Sequence, residues 1–255
     1  THYGPTFKDI GMIATLEATK NSPHYQTPVK PGQGRGVAVG FWFNIGMDSS
    51  AACHIGEDGT VTLISGSPDI GGSRASLALM AAEELGIDYH KIRPIVADTA
   101  SIGFNFLTGG SRVTFATGMA VVQAVRDAID EMRARAAKLW EVDVEAVIWE
   151  DGCAKPAGSN VGDFDPMTLA EIAASAGKTG GPINGHAQLN AQGAGPGFGA
   201  QIYDVSVDAD TGHTTVERCT VVQDVGTAIH PDYVEGQLQG GVVQGIGWAL
   251  NEEYI

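Results

Sequence analysis

Two glycine-rich stretches, each followed at once by a segment with helical spacing of apolar residues, constrain the fold of this chain most. The first is Ser65-Gly-Ser-Pro-Asp-Ile-Gly-Gly-Ser-Arg74 and the second is Thr108-Gly-Gly-Ser-Arg-Val-Thr-Phe-Ala-Thr117. A glycine-rich entry lets a ligand approach the unpaired N–H groups of a helix N-terminus without obstruction by Cβ atoms. The pattern predicts two loop-to-helix junctions that bind phosphate or diphosphate.

The charge of the chain limits what its partners can be. It holds 30 Asp and Glu residues against 15 Lys and Arg residues, for a formal net charge of -15. Repulsion would oppose contacts with a phosphate backbone, so nucleic acid is not expected as a partner. A phosphate-bearing ligand would have to be held by directed N–H groups and a few placed side chains. The loops offer Ser73 with Arg74 and Ser111 with Arg112.

The order of predicted elements indicates an α+β fold of two related hairpin-plus-helix units packed together. The first unit, about residues 35–140, has strands at 37–43, 51–55, 61–64 and 92–97, a helix ending near Gly86, and a long helix at 117–139. One apolar face of the long helix is formed by Val121, Val122, Val125, Ile129 and Met132. The second unit, about 185–255, has strands at 202–207 and 214–222 and a helix at 233–251. Residues 1–34 are expected to be an N-terminal segment and linker.

Between the units, a short helix is predicted to begin at residue 165, with Asp165 as its N-cap and Pro166 at the first helical position. The three cysteines, Cys53, Cys153 and Cys219, are scattered singly, without the spacing of a zinc or iron–sulfur site. No metal ligand is therefore expected on this chain, and any iron–sulfur carrier would lie on another chain. No stretch approaches the roughly 20 apolar residues of a membrane span. The single cysteines favour a reducing compartment, and a cytoplasmic location is expected.

Three blocks of sequence resemble the molybdenum hydroxylases, the xanthine dehydrogenase and aldehyde oxidase group. Asp69-Ile-Gly-Gly-Ser-Arg74 is similar to a loop against the pterin and its diphosphate, and Gly109-Gly-Ser-Arg-Val-Thr114 to the segment beside the molybdenum. Asp224-Val-Gly226 with Val234-Glu-Gly-Gln-Leu-Gln-Gly-Gly-Val-Val-Gln-Gly-Ile-Gly247 is similar to the family's penultimate signature and is the most specific block. The resemblance covers about residues 35–255. It identifies the C-terminal part of the molybdopterin-binding large subunit and implies a molybdopterin-binding domain.

The resemblance implies a molybdenum-dependent oxidoreductase that hydroxylates an aldehyde or an N-heterocycle, with water as the oxygen source. The cofactor would be molybdopterin with molybdenum, as a cytosine dinucleotide because the Ser-Arg second loop looks like that of bacterial members. Electrons would pass to partner chains that carry iron–sulfur clusters and FAD. Another molybdenum-subunit chain or segment would complete the site, and activity of this chain alone is not expected. Export to the periplasm together with a partner is the alternative to a cytoplasmic location.

The resemblance also implies roles for individual residues. The general-base glutamate of the family is expected some tens of residues beyond the third block, past Ile255, so no catalytic residue is assigned. Gly72 and Ser73 stand where many relatives have Gln and Gly, so a glutamine contact to the metal ligands is absent from that turn. The loop with Phe104, Asn105 and Phe106 would shape a substrate pocket. The implied cofactor-binding residues are Gly71, Gly72, Ser73, Arg74, Gly110, Ser111, Arg112, Val113, Thr114, Gln192 and Gln244.

Each assignment has a purely structural alternative. The glycine loops can be ordinary turns, and Arg112 can pair with Asp98 and bind no ligand. Glutamines of the third block, such as Gln244, can satisfy buried backbone groups, and the residues of loop 104–106 can pack in the core. A non-catalytic carrier of a pterin or nucleotide, or a structural subunit, is the second functional class. A nucleotide-phosphate enzyme is disfavoured, because neither GxGxxG after a strand nor GxxxxGK[ST] occurs.

Overall fold

The computed structural model describes residues 6–7, 10–96, 100, 102–193 and 195–255. The chain is α+β, as predicted, and divides into two compact units. The continuous unit is Ile45–Gly193, and the discontinuous unit combines Thr1–Asn44 with Ala194–Ile255. This grouping differs from the domain limits expected from the sequence, because the first predicted strand joins the unit that holds the end of the chain. The helices are α1 (Met12–Asn21), α2 (Pro23–Gln26), α3 (Ser73–Leu85), α4 (Gly118–Trp140), α5 (Leu169–Ala174), α6 (Ala176–Thr179) and α7 (Pro231–Leu250).

The strands form three sheets in the described part of the chain. They are β1 (Gln33–Trp42), β2 (Met47–Ile55), β3 (Val61–Ser65), β4 (Ile92–Val96), β5 (Val147–Glu150), β6 (Cys153–Pro156), β7 (Met167–Thr168), β8 (Asn184–Ala191), β9 (Gly197–Val207) and β10 (Thr214–Gln223). The sheet orders are β1-β9-β10, β4-β3-β2-β8 and β5-β6-β7. Every predicted strand is present, although Ala97, at the end of the fourth, lies outside the described residues.

The main sheet of the continuous unit places both glycine loops. Strand β2 pairs antiparallel with β3 and β8, and β3 pairs parallel with β4, so α3 is the crossover between two parallel strands. Strands β2 and β3 form a hairpin, in agreement with the hairpin-plus-helix organisation expected of the first unit. The predicted C-cap of α3 is also confirmed, because Gly86 is left-handed with φ +71° and its N–H bonds back to the last turn. The first glycine loop, residues 65–74, therefore leaves β3 and enters α3.

Helix α4 packs against the main sheet and α3 and carries much of the core. The predicted apolar face is correct in part: Val121, Val125 and Met132 are buried, whereas Val122 and Ile129 are only partly so. The other buried positions are small, which lets the helix lie close to β8. The buried core of this unit includes Cys53, Leu63, Leu77, Leu85, Val121, Val125, Met132, Val147, Ile172 and Ile183. Burial raises the pKa of the Cys53 thiol to about 12, so this cysteine is an inert core residue.

The predicted short helix is present, but its start differs from the expectation. Helix α5 begins three residues after Pro166, and its N-cap is Thr168 instead of Asp165. The Thr168 hydroxyl accepts the N–H of Glu171, and the Glu171 carboxylate accepts the N–H of Thr168 in return. This reciprocal capping box satisfies two helix-end donors at once, which the Asp165-Pro166 pair does not do.

The discontinuous unit has β9 at the centre of its sheet, antiparallel to both neighbours. The N-terminal segment is not only a linker, because α1 packs against β9 and β10. Arg35 donates from Nε and Nη2 to the two carboxylate oxygens of Asp204 at 2.6 and 2.8 Å. The buried ring of His24 lies 3.0 Å from the same carboxylate. These contacts tie the segment after α1 to the central strand.

Candidate functional site

The two glycine loops enter neighbouring helices of the continuous unit. The first loop enters α3, and the second loop, residues 108–117, ends in a π turn (Val113–Thr117) that leads into α4. Helices α3 and α4 pack against each other and against the same sheet. The two predicted loop-to-helix junctions are therefore both present within one unit. Within the described part of the chain, the helices include none long and apolar enough to cross a bilayer.

The first loop has the backbone geometry that the glycine pattern predicts. Gly71 and Gly72 are left-handed, with φ +69° and +80°. Gly72 is the N-cap of α3 and supplies no side-chain cap. Within the described residues, the N–H groups of Gly71, Gly72 and Ser73 have no hydrogen-bond acceptor. An oxyanion that binds at a helix start is stabilised by hydrogen bonds from such unpaired donors.

Asp69 already occupies part of this helix end. Its Oδ1 accepts the N–H of Arg74 at 3.0 Å, and its Oδ2 lies 3.1 Å from the Nε of Arg74. The Arg74 side chain is 53% exposed. Ser73 is buried, with its hydroxyl 3.5 Å from both Asp69 Oδ1 and the Pro68 carbonyl. An anion that binds at this loop therefore competes with the Asp69 carboxylate for the start of α3 and for the Arg74 guanidinium.

The second loop holds a similar pair of left-handed residues. Gly110 has φ +71° and Ser111 has φ +56°, a conformation that costs a non-glycine residue roughly 1–2 kcal/mol. A Cβ on Gly110 would lie 2.6 Å from the Cδ1 atom of Ile45, so the backbone here needs glycine. The buried Oγ1 of Thr108 has no hydrogen-bond partner among the described residues. An orphaned hydroxyl and a left-handed turn fit a loop that receives a polar ligand.

The structure assigns Arg112 to partners other than a phosphate. Its side chain is 1% exposed and donates to the carbonyls of Gly46, Met47, Asp48, Phe106 and Leu107 and to the hydroxyl of Ser49, at 2.6 to 3.4 Å. These bonds use all the N–H groups of the guanidinium. Burial lowers the pKa of Arg112, and the nearby Asp48 carboxylate partly opposes this. The guanidinium that the resemblance places among the cofactor-binding residues is thus directed at protein acceptors. The alternative partner, Asp98, lies outside the described residues.

A buried hydroxyl network joins the two loops. The Oγ1 atom of Thr117, at the end of the second loop, lies 3.0 Å from the Ser67 hydroxyl of the first loop and 3.3 Å from the Ser49 hydroxyl. All three residues are at most 3% exposed. The sequence interpretation did not assign them a role. The run Asp48-Ser-Ser50 at the start of an apolar strand was the available signal, because polar residues in a buried strand need partners.

The predicted substrate-pocket residues have three different environments. Asn105 exchanges hydrogen bonds with Ser50, whose N–H and hydroxyl contact its side-chain amide at 3.3 and 2.9 Å. The ring of Phe106 lies 5.9 Å from the Cζ atom of Arg112. The Phe104 side chain is 61% exposed. Asn105 and Phe106 therefore hold the loop on β2, and Phe104 is the member with a side chain open to a ligand.

The remaining predicted cofactor residues are dispersed. Val113 is buried, whereas Thr114 is exposed at the π turn. Gln192 is exposed after β8, and its Nε2 lies 3.4 Å from Asn190 Oδ1. Gln244 is exposed on α7 in the discontinuous unit, so it does not satisfy a buried backbone group. The continuous unit thus brings together the residues of the two loops, and Gln244 belongs to the other unit.

Comparison with known proteins gives a consistent set of relatives. Residues 10–255 match the model of a molybdopterin cofactor-binding domain. The carbon monoxide dehydrogenase large chain of Hydrogenophaga pseudoflava is 28% identical, over 98% of this chain and 30% of that protein. The nicotine 6-hydroxylase large subunit of Paenarthrobacter nicotinovorans is 31% identical, over 80% of this chain and 26% of that protein.

A solved structure agrees with these sequences. Quinoline 2-oxidoreductase from Pseudomonas putida 86 has a TM-score of 0.75 and 26% identity, over 88% of this chain and 31% of that one. The chain spans less than a third of the length of each of these three relatives.

Proposed function

The chain belongs to the molybdopterin cofactor-binding domain family, and we propose that it holds the pterin dinucleotide in the molybdenum subunit of a hydroxylating oxidoreductase. The observation that carries the proposal is the pair of glycine loops, which enter two packed helices and are joined by buried hydroxyls. A diphosphate between a pterin and a nucleotide is the kind of ligand that directed amides at a helix start bind in an acidic protein.

The proposed cofactor residues divide by what they offer. The amides of Gly71, Gly72 and Ser73 would donate to oxyanions at the start of α3, and Arg74 would add one partly exposed charge. Gly110 and Ser111 would present backbone at the second loop, beside the orphaned Thr108 hydroxyl. Val113, Thr114, Gln192 and Gln244 remain proposed contacts to the cofactor. For Arg112, whose N–H groups all face protein acceptors, we propose a structural role in place of direct contact with the cofactor.

The proposed reaction is hydroxylation of an aldehyde or N-heterocyclic substrate with oxygen from water. The bound molybdenum would supply two-electron redox chemistry and activation of the oxygen donor. This chain would orient the cofactor through its loops and border the substrate with Phe104. Two relatives are named as a nicotine hydroxylase and a quinoline oxidoreductase, which supports a heterocyclic substrate class.

We propose that the enzyme is a complex in which this chain is not active alone. Relatives described as a large chain and a large subunit support partners of smaller size. The proposed partners are another molybdenum-subunit chain or segment, an iron–sulfur subunit and a flavin subunit with FAD. The free cysteines Cys53, Cys153 and Cys219 suit a reducing compartment, and we propose the cytoplasm. The nucleotide of the pterin is proposed to be cytidine.

The test is elemental analysis of the native complex, together with intact masses of this chain and every chain that copurifies. We expect molybdenum near one atom per copy of this chain, iron on a partner chain, and cytidine monophosphate released by acid hydrolysis. A complex free of molybdenum and pterin would reject the proposal and leave a structural subunit. A pterin without molybdenum or substrate turnover would point to a non-catalytic carrier. Release of another nucleotide would reject only the cytosine dinucleotide.

A further inference from the structure

Arg112 is a buried cation whose six hydrogen-bond acceptors are carbonyl oxygens and one hydroxyl. A buried charge costs several kcal/mol unless it is fully hydrogen-bonded. The acceptors must therefore stay in place around the guanidinium. Because this group is planar and rigid, it fixes the relative positions of the backbone segments that supply them.

Those acceptors come from two separate parts of the chain. Gly46, Met47 and Asp48 lie at the start of β2, whereas Phe106 and Leu107 lie in the loop that carries Phe104. Two backbone bonds join the same parts: Phe106 N–H donates to the Asp48 carbonyl at 3.0 Å, and Ile45 N–H donates to the Gly110 carbonyl at 3.4 Å. The guanidinium is the centre of this junction.

The contacts continue from Arg112 to the first glycine loop. Its Nη2 donates to the Ser49 hydroxyl at 2.6 Å, and the Ser49 hydroxyl lies 3.3 Å from that of Thr117. Thr117 in turn contacts Ser67 in the first loop. The path from the second loop to the first therefore consists of buried polar groups, each of which needs the next as a partner.

We propose that Arg112 is a positioning residue that sets the loop bearing Phe104 and holds the two glycine loops in register through Ser49 and Thr117. The effect of Arg112 on substrate binding rests on the function proposed above. A lysine at this position has a single ammonium group with three N–H donors and cannot reach acceptors on all sides. Arg112→Lys keeps the charge but loses the junction.

The first test is hydrogen–deuterium exchange on the complex of this chain with its natural partners. The variants are Arg112→Lys and Arg112→Met, with Arg126→Met as the matched control because Arg126 forms an exposed ion pair with Glu84. We expect the amides of Ile45 and Phe106 to exchange about tenfold faster in the Arg112 variants. The β9–β10 amides and the control should keep wild-type rates. Wild-type rates at Ile45 and Phe106, or an equal rise along the whole β2–β3 ladder, would overturn the proposal.

A second variant keeps the test valid if the Arg112 variants do not fold. Thr117→Val preserves shape and removes the hydroxyl that contacts Ser49 and Ser67. We expect faster exchange in peptides from residues 65–74 in this variant, although Arg112 is intact. Wild-type exchange in those peptides would contradict the connection between the loops.

Steady-state kinetics separate a positioning role from a general loss of stability. For Arg112→Lys in the metal-loaded complex, we expect the KM for substrate to rise several-fold while kcat changes less, because under the proposed function Phe104 would contact substrate away from the reacting atoms. A lower kcat with an unchanged KM would overturn this part. If the complex holds no molybdenum, the proposed function fails, yet the exchange measurements still decide the role of Arg112.

Discussion

Asp69 and Arg74 determine how strongly the first glycine loop can hold an anion. The carboxylate accepts the Arg74 amide and pairs with its guanidinium, so it competes with any oxyanion at the start of α3. An acidic residue at a helix N-terminus is itself favourable. Asp69 therefore satisfies part of the helix end without a ligand, while the N–H groups of Gly71, Gly72 and Ser73 have no acceptor among the described residues.

Substitution of Arg74 tests its proposed contact with the diphosphate. Arg74→Ala should lower the pterin content of the purified complex, measured by release of the nucleotide, with an affinity loss of about tenfold or less because the side chain is partly exposed. Asp69→Asn should raise retention, since asparagine can still cap the helix but carries no charge. Arg126→Ala, a comparably exposed arginine, is the control and should leave the content unchanged. Equal losses in both arginine variants would contradict a contact specific to Arg74.

Asp204 makes the stability of the discontinuous unit depend on pH. The hydrogen bond from Arg35, with a smaller contribution from His24, lowers the pKa of Asp204 to about 2. Because this value is below that of the unfolded chain, about 3.9, the carboxylate stabilises the fold above pH 4. That contribution is lost as the pH falls through 2.

Urea unfolding between pH 7 and pH 2 measures this contribution. Wild-type protein should lose stability between pH 4 and pH 2, and Asp204→Asn should be less stable than wild type at pH 7. The difference between the two proteins should shrink over the acid interval. A difference that stays constant down to pH 2 would show that the charge of Asp204 is not what stabilises the unit.

At the scale of elements, the close approach of α4 to β8 requires a glycine on the strand in addition to the small residues on the helix. A Cβ at Gly185 would lie 1.9 Å from the Ala124 carbonyl oxygen and 2.6 Å from the Ala128 amide nitrogen, both backbone atoms of α4. Gly185→Ala should therefore lower the free energy of unfolding by about 1–3 kcal/mol. Gly177→Ala is the matched control, because a Cβ there meets nothing within 4 Å. Chemical denaturation of both variants checks the difference, and similar values would contradict the packing argument.

The elements with a clear local signal were predicted from the sequence, and those without one were not. The spacing of Val121, Val125 and Met132 predicts α4 because they recur at helical intervals on a buried face. Helix α1 has no such signal: its buried residues are Thr15 and Thr19, and Ile13 is 63% exposed. The glycine loops and the sequence blocks that carry the family resemblance are also local features of the chain, so they too could be recognised from the sequence.

The bonding of the site could not be predicted from the sequence, because its partners are far apart in the chain. Arg112 bonds to residues about 65 positions earlier, and Thr117 is 50 positions from Ser67. A Ser-Arg pair after two glycines has the same local pattern whether the arginine faces a phosphate or the protein interior. Whether the arginine faces a phosphate or the protein interior depends on how β2 runs past the second loop. That arrangement belongs to the tertiary structure and cannot be read from the local sequence.

At the scale of the whole molecule, the chain combines a large negative net charge with a helix, α7, that buries none of its residues. The net charge of -15 keeps copies of the chain apart and opposes binding to polyanions. Helix α7 has no buried residue, and Val243 and Trp248 are 68% and 61% exposed. Tyr233 and Leu250 on the same helix are 41% and 44% exposed, so α7 carries four exposed large apolar side chains. Exposed apolar surface marks an interaction site where it is contiguous.

The isolated chain should therefore bind the fluorescent dye ANS, which reports exposed apolar surface, while its circular dichroism stays that of a folded α+β protein. Val243→Ser with Trp248→Ser should reduce ANS fluorescence with little loss of thermal stability, because neither side chain is buried and the ring contact of Trp248 is with the exposed Tyr254. The control is Leu139→Ser on α4, which removes an apolar side chain that is only 38% exposed. This variant should lower the thermal stability and leave ANS fluorescence close to that of the wild type.

ANS fluorescence that is weak in the wild type would mean that other parts of the molecule cover α7 in solution. Fluorescence that is unchanged in the double variant would mean that the dye binds elsewhere, for example at the exposed Val39 and Trp42 of β1. Strong binding that disappears in the assembled complex would support α7 as a subunit contact, because burial against a partner removes exposed apolar surface.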